Sequence, residues 1–234
     1  MISIIIPTLN EEKYLPQLLE SIKKQDFTDY EIIIGDAGSK DKTREIASQY
    51  GCKIVSGGLP AVGRNEGAKA AKGDLLFFID SDSILPDKFF TVLLEEFKRK
   101  KLDIASYRVY PSGNIIDKVC YGIYNFITWL TQGFLPHATQ TVLIKKEIHE
   151  KIGGFDKEIK IGEDHAYARK AAKYGKFGFL MKVPIISTSA RRFQSKGRLK
   201  IYSMFILAGI FLLFSGRAKA RIFDSYYSRK EKKN

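Results

Sequence analysis

Cysteine is scarce: the 234 residues hold two, Cys52 and Cys120, far apart and outside any CxxC spacing. That argues against a zinc site and a disulfide framework, and a reducing compartment is expected. Histidine numbers three, and His137 and His165 lack the paired spacing of a metal site, so structural roles are expected for both. No secretory leader is expected, because Ile2–Ile6 runs straight into Pro7 without a basic segment before it. Repeats and low-complexity tracts are missing too. Acid is in deficit: 39 Lys and Arg face 26 Asp and Glu, a net charge of +13. Such an excess needs an anionic partner, either nucleic acid or anionic lipid.

What is present suits a folded α/β chain. A hydrophobic fraction of 44% is that of an ordinary globular protein, and the length allows one substantial core or one domain with an appendage. The charge distribution favours lipid over nucleic acid. Arg191, Arg192, Lys196, Arg198 and Lys200 precede an apolar run, and Arg217, Lys219, Arg221, Arg229, Lys230, Lys232 and Lys233 follow it. Basic residues flanking an apolar run mark a membrane-surface segment.

Strand and helix signals alternate over the first hundred residues. Ile2–Ile6 reads as a buried strand, and Asn10 as the N-cap of a helix with Tyr14, Leu15, Leu18, Leu19 and Ile22 on one face. Glu11 and Glu12 fall in its first turn, where the helix dipole favours acids. Glu31–Gly35 gives a second strand, closed by the polar turn 36–41 before a helix ending at Gly51. Lys53–Val55 gives a third. A glycine-punctuated loop over 57–67 is expected to enter a small-residue helix, 68–72. The amphipathic helix 89–98 closes the series. Alternation of this kind predicts a mostly parallel sheet with helices on both faces.

The stretch Leu75–Asp82, Leu-Leu-Phe-Phe-Ile-Asp-Ser-Asp, carries the chemistry. Its apolar run predicts a strand buried on both faces. It ends in two carboxylates, Asp80 and Asp82, where ligands gather at the carboxyl edge of open α/β sheets. Residues i and i+2 of an extended segment point the same way, so both acids can face one hard cation, Mg²⁺ or Mn²⁺. The alternative is that Asp-Ser-Asp caps the next helix near Pro86.

Past Asp103 the pattern changes. Residues 104–109 predict another strand, and 119–144 carry no charge apart from His137. The aromatic composition of this stretch suits a surface that meets lipid, or an internal helix packed on the sheet. A tight turn at 153–156, a helix from Gly162 to Lys173, and strands at 177–181 and 183–187 complete the reading.

With these elements in order, the residues resemble those of family 2 glycosyltransferases. Ile-Ile-Pro-Thr-Leu-Asn-Glu-Glu at 5–12 is similar to the opening of that family. Asp-Ala-Gly-Ser-Lys-Asp-Lys-Thr at 36–43 is similar to its nucleotide-binding turn. Gly-Arg-Asn-Glu-Gly at 63–67, Lys-Gly-Asp at 72–74, Asp-Ser-Asp at 80–82, Gly-Gly-Phe-Asp at 153–156 and Glu163-Asp164 follow in the family's order. Ser-Ala-Arg-Arg-Phe at 189–193 departs from the Gln-x-x-Arg-Trp motif of processive members, so a polymerising synthase is not expected.

The resemblance implies a GT-A fold over 1–195, with a nucleotide-sugar half, 1–100, and an acceptor half, 101–195. It implies inverting, metal-dependent transfer of a hexosyl group from a nucleoside diphosphate sugar, with UDP favoured. Asp82 is the expected metal ligand, with Asp80 sharing the Mn²⁺ or Mg²⁺ or holding the ribose. Asp164 is the expected general base, with Glu163 as its fallback. Asp36 is expected to meet the nucleobase, Pro7 and Glu11 to border the base pocket, and Ser81 to touch the donor. Arg64 is expected in a loop near the nucleotide, and Arg191 and Arg192 as a mobile diphosphate clamp. Turn, cap, dipole and surface roles are the alternatives for these residues.

The remainder, 196–234, is expected to be an apolar helix over 201–216 and a basic tail. Sixteen residues rise about 24 Å, short of a ~30 Å hydrocarbon core. The segment is therefore expected to enter one leaflet at the cytoplasmic side of the cell membrane, or else to form an oligomer contact. A lipid-linked or glycan acceptor would fit a docked enzyme. Two other functions compete: a basic nucleic-acid-binding module, disfavoured by where the cations cluster, and a non-catalytic sugar-nucleotide-binding scaffold, disfavoured by the intact acids.

Overall fold

The computed structural model describes residues 1–159, 162–198 and 201–203, leaving out the side chains of Arg192, Ser195 and Lys196. Short β-branched and aromatic runs make the main sheet: β1 (Ile2–Thr8), β2 (Tyr30–Asp36), β3 (Lys53–Ser56), β4 (Leu75–Phe78), β6 (Ile104–Tyr107), β8 (Val142–Lys145) and β9 (Phe177–Leu180). Their spatial order is β3-β2-β1-β4-β8-β6-β9. β1 to β4 are mutually parallel, β8 runs antiparallel to both its neighbours, and β9 is parallel to β6. The sheet is α/β and mostly parallel, as the alternating pattern predicted.

The helices are α1 (Leu15–Lys23), α2 (Thr43–Gln49), α3 (Pro60–Ala70), α4 (Phe89–Arg99), α5 (Ile115–Thr131), α6 (Lys146–Lys151), α7 (Glu163–Ala171) and α8 (Arg191–Lys196). The two-residue period of the strands divides the core into two. Ile4, Ile6, Phe77 and Ala105 pack with α1 and α4 on one face. Ile5, Ile33, Phe78 and Ile144 pack with α3 and α7 on the other. Each fully buried Ile or Phe contributes roughly 1.5–3 kcal/mol of burial free energy.

A second, three-stranded sheet joins β5 (Ser83–Ile84), β10 (Ile186–Thr188) and β7 (Val109–Pro111) in the order β5-β10-β7. It pairs Thr188 with Ser83, so the segment leading to Arg191 returns beside Asp82.

Several expectations are corrected. Asn10 is no N-cap: it has φ 52 and its Oδ1 accepts from Lys40 N at 2.8 Å, so α1 begins at Leu15 after a turn. The glycine-rich stretch is not a loop. α3 starts at Pro60, and its glycines let it lie close on the sheet: a Cβ on Gly67 would fall 2.5 Å from Ile5 Cγ2. The strand after Gly73 stops at Phe78, and Ile79 to Asp82 turn out of the sheet. Half of the uncharged 119–144 stretch is helix and its end is strand. The expected apolar helix over 201–216 lies, from residue 204 on, outside the described residues.

Candidate functional site

The ends of β1 and β2 come into register with Pro7 beside Gly35 and Thr8 beside Asp36. Asp36, nearly fully buried, organises the turn that follows. Its Oδ1 accepts from Thr8 Oγ1 at 3.2 Å and Ser39 Oγ at 2.5 Å, and its Oδ2 from the N–H groups of Gly38 and Ser39 at 3.1 and 3.0 Å. A carboxylate has about four lone-pair sites, so the turn takes up this one's capacity. Pro7 lies against α3, 3.2 Å from where a Gly63 Cβ would sit.

Arg64 is not in a loop. It stands in the first half of α3, 3% exposed, between two carboxylates from distant parts of the chain. Nη2 donates to Asp80 Oδ1 at 2.8 Å and Nη1 to Glu163 Oε1 at 2.7 Å. Its guanidinium also lies 5.3 Å from the Phe155 ring centroid. The neighbouring Asn65 fixes that ring's backbone, accepting from Phe155 N at 2.8 Å and donating to Phe155 O at 2.9 Å. One helix turn thus ties the segment past β4 to Glu163 and to Phe155.

Asp82 and Glu11 meet through Arg191. Its Nε is 3.3 Å from Asp82 Oδ2, while Nη1 and Nη2 reach Glu11 Oε2 and Oε1 at 2.7 and 2.8 Å. The guanidinium stacks 4.6 Å from the Tyr14 ring centroid. Thr188 Oγ1 donates to Asp82 Oδ1 at 3.3 Å. The arginine expected to clamp a diphosphate here pairs with Glu11 and Asp82, joining the segment after β10 to the turn after β1 and the segment past β4. Ser81 is buried between the two acids, and the side chain of Arg192 lies outside what is described.

Glu163 and Asp164 open α7 behind Gly162, whose φ of 76 only glycine adopts readily. Burial pushes the Asp164 carboxyl well above the usual carboxylate range, and the negative charges of Glu163 and Asp80 push it further; Arg64 opposes them. Beside it, His165 and His137 stack with ring centroids 4.7 Å apart. Burial lowers them to about 3 and about 4, so both rings are neutral near pH 7. Arg169 Nη2 donates to His137 Nε2 at 2.7 Å. His165 Nδ1 lies 3.9 Å from Asp164 Oδ1 and has no hydrogen-bond partner among the described residues.

Carboxylate oxygens are the donor type that suits a hard divalent cation. Mg²⁺ is commonly held by one or two carboxylates, with phosphates and water completing its shell. Asp80 and Asp82 supply two such carboxylates past the end of β4, and each is paired in this structure with a guanidinium, Asp80 with Arg64 and Asp82 with Arg191. Among the described residues, no group of three His, Cys, Asp or Glu side chains is placed to form an all-protein cage.

The structure therefore gathers Arg64, Asp80, Glu163 and Asp164 into one cluster and Glu11, Asp82 and Arg191 into another. Asp36 and Pro7 lie at the ends of β2 and β1. Asn65, Phe155, Tyr14 and Thr188 were not singled out from the sequence. Asn65 and Phe155 sit inside quoted motifs, so their neighbours were the available signal; Tyr14 and Thr188 gave none, because their partners are distant in the chain.

The family model described as Glycosyl transferase family 2 matches residues 3–155. The curated protein named Uncharacterized glycosyltransferase EpsJ, of Bacillus subtilis, is 33% identical over 122 residues, covering 49% of this chain and 35% of its own length. The match thus spans about a third of that relative's length. Among solved structures, Staphylococcus aureus TarS 1–349 in complex with UDP-GlcNAc aligns with a TM-score of 0.68 at 22% identity, over 81% of this chain and 58% of that one. The mannosyltransferase PcManGT of Pyrobaculum calidifontis, in complex with GDP-Man and Mn²⁺, aligns with a TM-score of 0.67 at 18% identity, over 88% and 64%. At such identities the likeness concerns the fold.

Proposed function

The chain belongs to glycosyl transferase family 2, and from that membership we propose an inverting transfer of a hexosyl group from a nucleoside diphosphate sugar to an acceptor. The observation that carries this reading is the Arg64 bridge. It holds Asp80, at the end of β4, against Glu163, next to a carboxyl whose pKa is raised.

In this reading Asp164 takes the acceptor hydroxyl's proton as the oxygen attacks the anomeric carbon. A base with a raised pKa is better matched to that proton than an ordinary carboxylate. Glu163 is committed to Arg64 and acts by fixing the position of its neighbour. Asp80 and Asp82 would hold Mn²⁺ or Mg²⁺, with Ser81 beside them. A cation there acts as a Lewis acid, offsetting charge on the departing diphosphate. Pro7, Glu11 and the Asp36 turn border the nucleobase, and Asp36 can bond a base once Ser39 Oγ turns away. Arg191, with Arg192, would leave Glu11 for the diphosphate when donor arrives.

UDP is the favoured nucleotide. The TarS complex with UDP-GlcNAc supports it, although the PcManGT complex carries GDP-Man. The acceptor is lipid-linked or a glycan at the cytoplasmic membrane face. That placement draws on the apolar run 201–216 between two basic clusters. Thermal unfolding with a panel of nucleoside diphosphate sugars and Mn²⁺ or Mg²⁺ tests the proposal. A UDP-sugar shift that Asp82→Ala abolishes is expected. No shift from any donor, with binding of RNA or DNA in its place, would sink it.

A further inference from the structure

Helix α5 has two opposed sides. The inner side is polar and fixed: Asp117, Asn125 and Thr128 are buried, and Asn125 Nδ2 donates to Val109 O at 3.2 Å. Tyr124 lies 6.2 Å from the His165 ring, next to Asp164, and its OH donates to Ala138 O at 3.4 Å. The outer side is apolar and, among the described residues, uncovered. Val119, Ile123, Phe126, Ile127 and Leu130, with Phe134 just past the helix end, are each between 51% and 78% exposed. Steps of three and four residues put most of them on one stripe. Exposed apolar patches of this extent mark interaction sites on soluble chains.

We propose that this stripe docks α5 flat on an anionic lipid bilayer, so that the polar underside presents Asp164 to the head of a lipid-linked acceptor. The acceptor part rests on the function proposed above; the docking part does not.

Three observations choose the bilayer as occupant. From Val119 to Pro136 there is no charged residue, so nothing on the stripe resists the acyl boundary. A net charge of +13 repels a second copy of the chain and draws it to anionic headgroups. The last described residues then run back along α5. Phe193 packs 6.3 Å from the Tyr121 ring, while Arg198 Nε and Tyr202 OH bond Asp117, at 3.1 and 2.9 Å, near the helix start. That path leads away from Ile123–Phe134. The sequence that follows, 204–216, is itself uncharged and apolar. No helix among the described residues is long and apolar enough to cross a membrane. An apolar stripe on one side is the pattern of a helix lying in the interface.

The chain carries its own probe. Trp129 is its single tryptophan, 39% exposed on α5, with its ring 5.8 Å from Phe126. Adding phosphatidylglycerol–phosphatidylcholine vesicles to the full chain should shift Trp129 emission to the blue and allow quenching by brominated lipid. Pure phosphatidylcholine should do so less. The triple variant Ile123→Asp, Ile127→Asp, Leu130→Asp should lose the shift and about tenfold or more of vesicle partitioning. Retained circular dichroism and donor binding would establish that it is folded. The tail variant Phe211→Asp, Leu212→Asp should keep the Trp129 shift. If the chain partitions while Trp129 stays unshifted and unquenched, the tail alone meets lipid and the proposal fails. It fails equally if light scattering finds a dimer that the triple variant splits while vesicle recovery is unchanged. Trp129 insertion without turnover on any lipid-linked acceptor would uphold the docking and overturn the acceptor reading.

Discussion

Arg191 sets its guanidinium edge against the Glu11 carboxylate through two parallel bonds, Nη1 to Oε2 at 2.7 Å and Nη2 to Oε1 at 2.8 Å. The two residues stand 180 positions apart, and the carboxylate is 5% exposed. Fork-to-fork pairing of this kind is both strong and directional. It closes the segment after β10 over the turn that follows β1.

Removing that cation should therefore be felt in two ways. Arg191→Ala takes the two-bond guanidinium from the buried Glu11 and should cost about 2–4 kcal/mol in urea unfolding. It also takes a guanidinium away from Asp82, so Mn²⁺ titrated without donor should bind several-fold more tightly. Unchanged or weaker Mn²⁺ binding would mean that Arg191 does not compete at that acid.

Arg64 compensates Asp80 and Glu163 together at full burial. Arg64→Ala should destabilise by about 3–5 kcal/mol, the usual consequence of stranding buried charge. Arg64→Lys should recover little of it, since one ammonium cannot span two carboxylates in the geometry of the fork. A lysine variant with wild-type stability and donor affinity would contradict the bridge.

The raised carboxyl of Asp164 gives opposite signs for stability and activity. Folded protein holds that proton more tightly than the unfolded chain does. Its stabilising contribution is complete below the ordinary value of about 4 and is lost as pH climbs through the raised one. Wild type should accordingly lose stability relative to Asp164→Asn across that window. Transfer needs the ionised base, so the acid limb of kcat/KM should sit above the ordinary carboxylate range. Asp164→Asn should lower kcat by roughly a hundred- to ten-thousand-fold with donor binding intact. An acid limb near pH 4 would remove Asp164 from the role.

Gly35 lets α3 approach β2. A Cβ there would fall 2.5 Å from Gly63 O, a backbone atom that cannot turn aside. Gly35→Ala should therefore shift α3, cost about 1–3 kcal/mol and displace Arg64, which follows Gly63 directly. Loss of stability with cation and donor binding untouched would show that the helix absorbs the change elsewhere.

Local residue patterns determined a good deal. The runs at 2–6, 32–34 and 75–78 are strands whose apolar residues bury on both faces, and such burial is legible from composition alone, while the edge run 53–55 is only partly buried. Asp80 and Asp82 could be placed at a sheet edge for the same reason. The α3 boundary was misread because its glycines resemble loop punctuation; they are there so that a helix can touch backbone. Pairing across the chain was not legible at all. That Arg64 would join Asp80 to Glu163, and Arg191 join Glu11 to Asp82, depends on the sheet order and on β10 returning beside β5. A charged side chain's partner is set by which desolvated acids the fold brings within reach, and no sequence spacing records that distance.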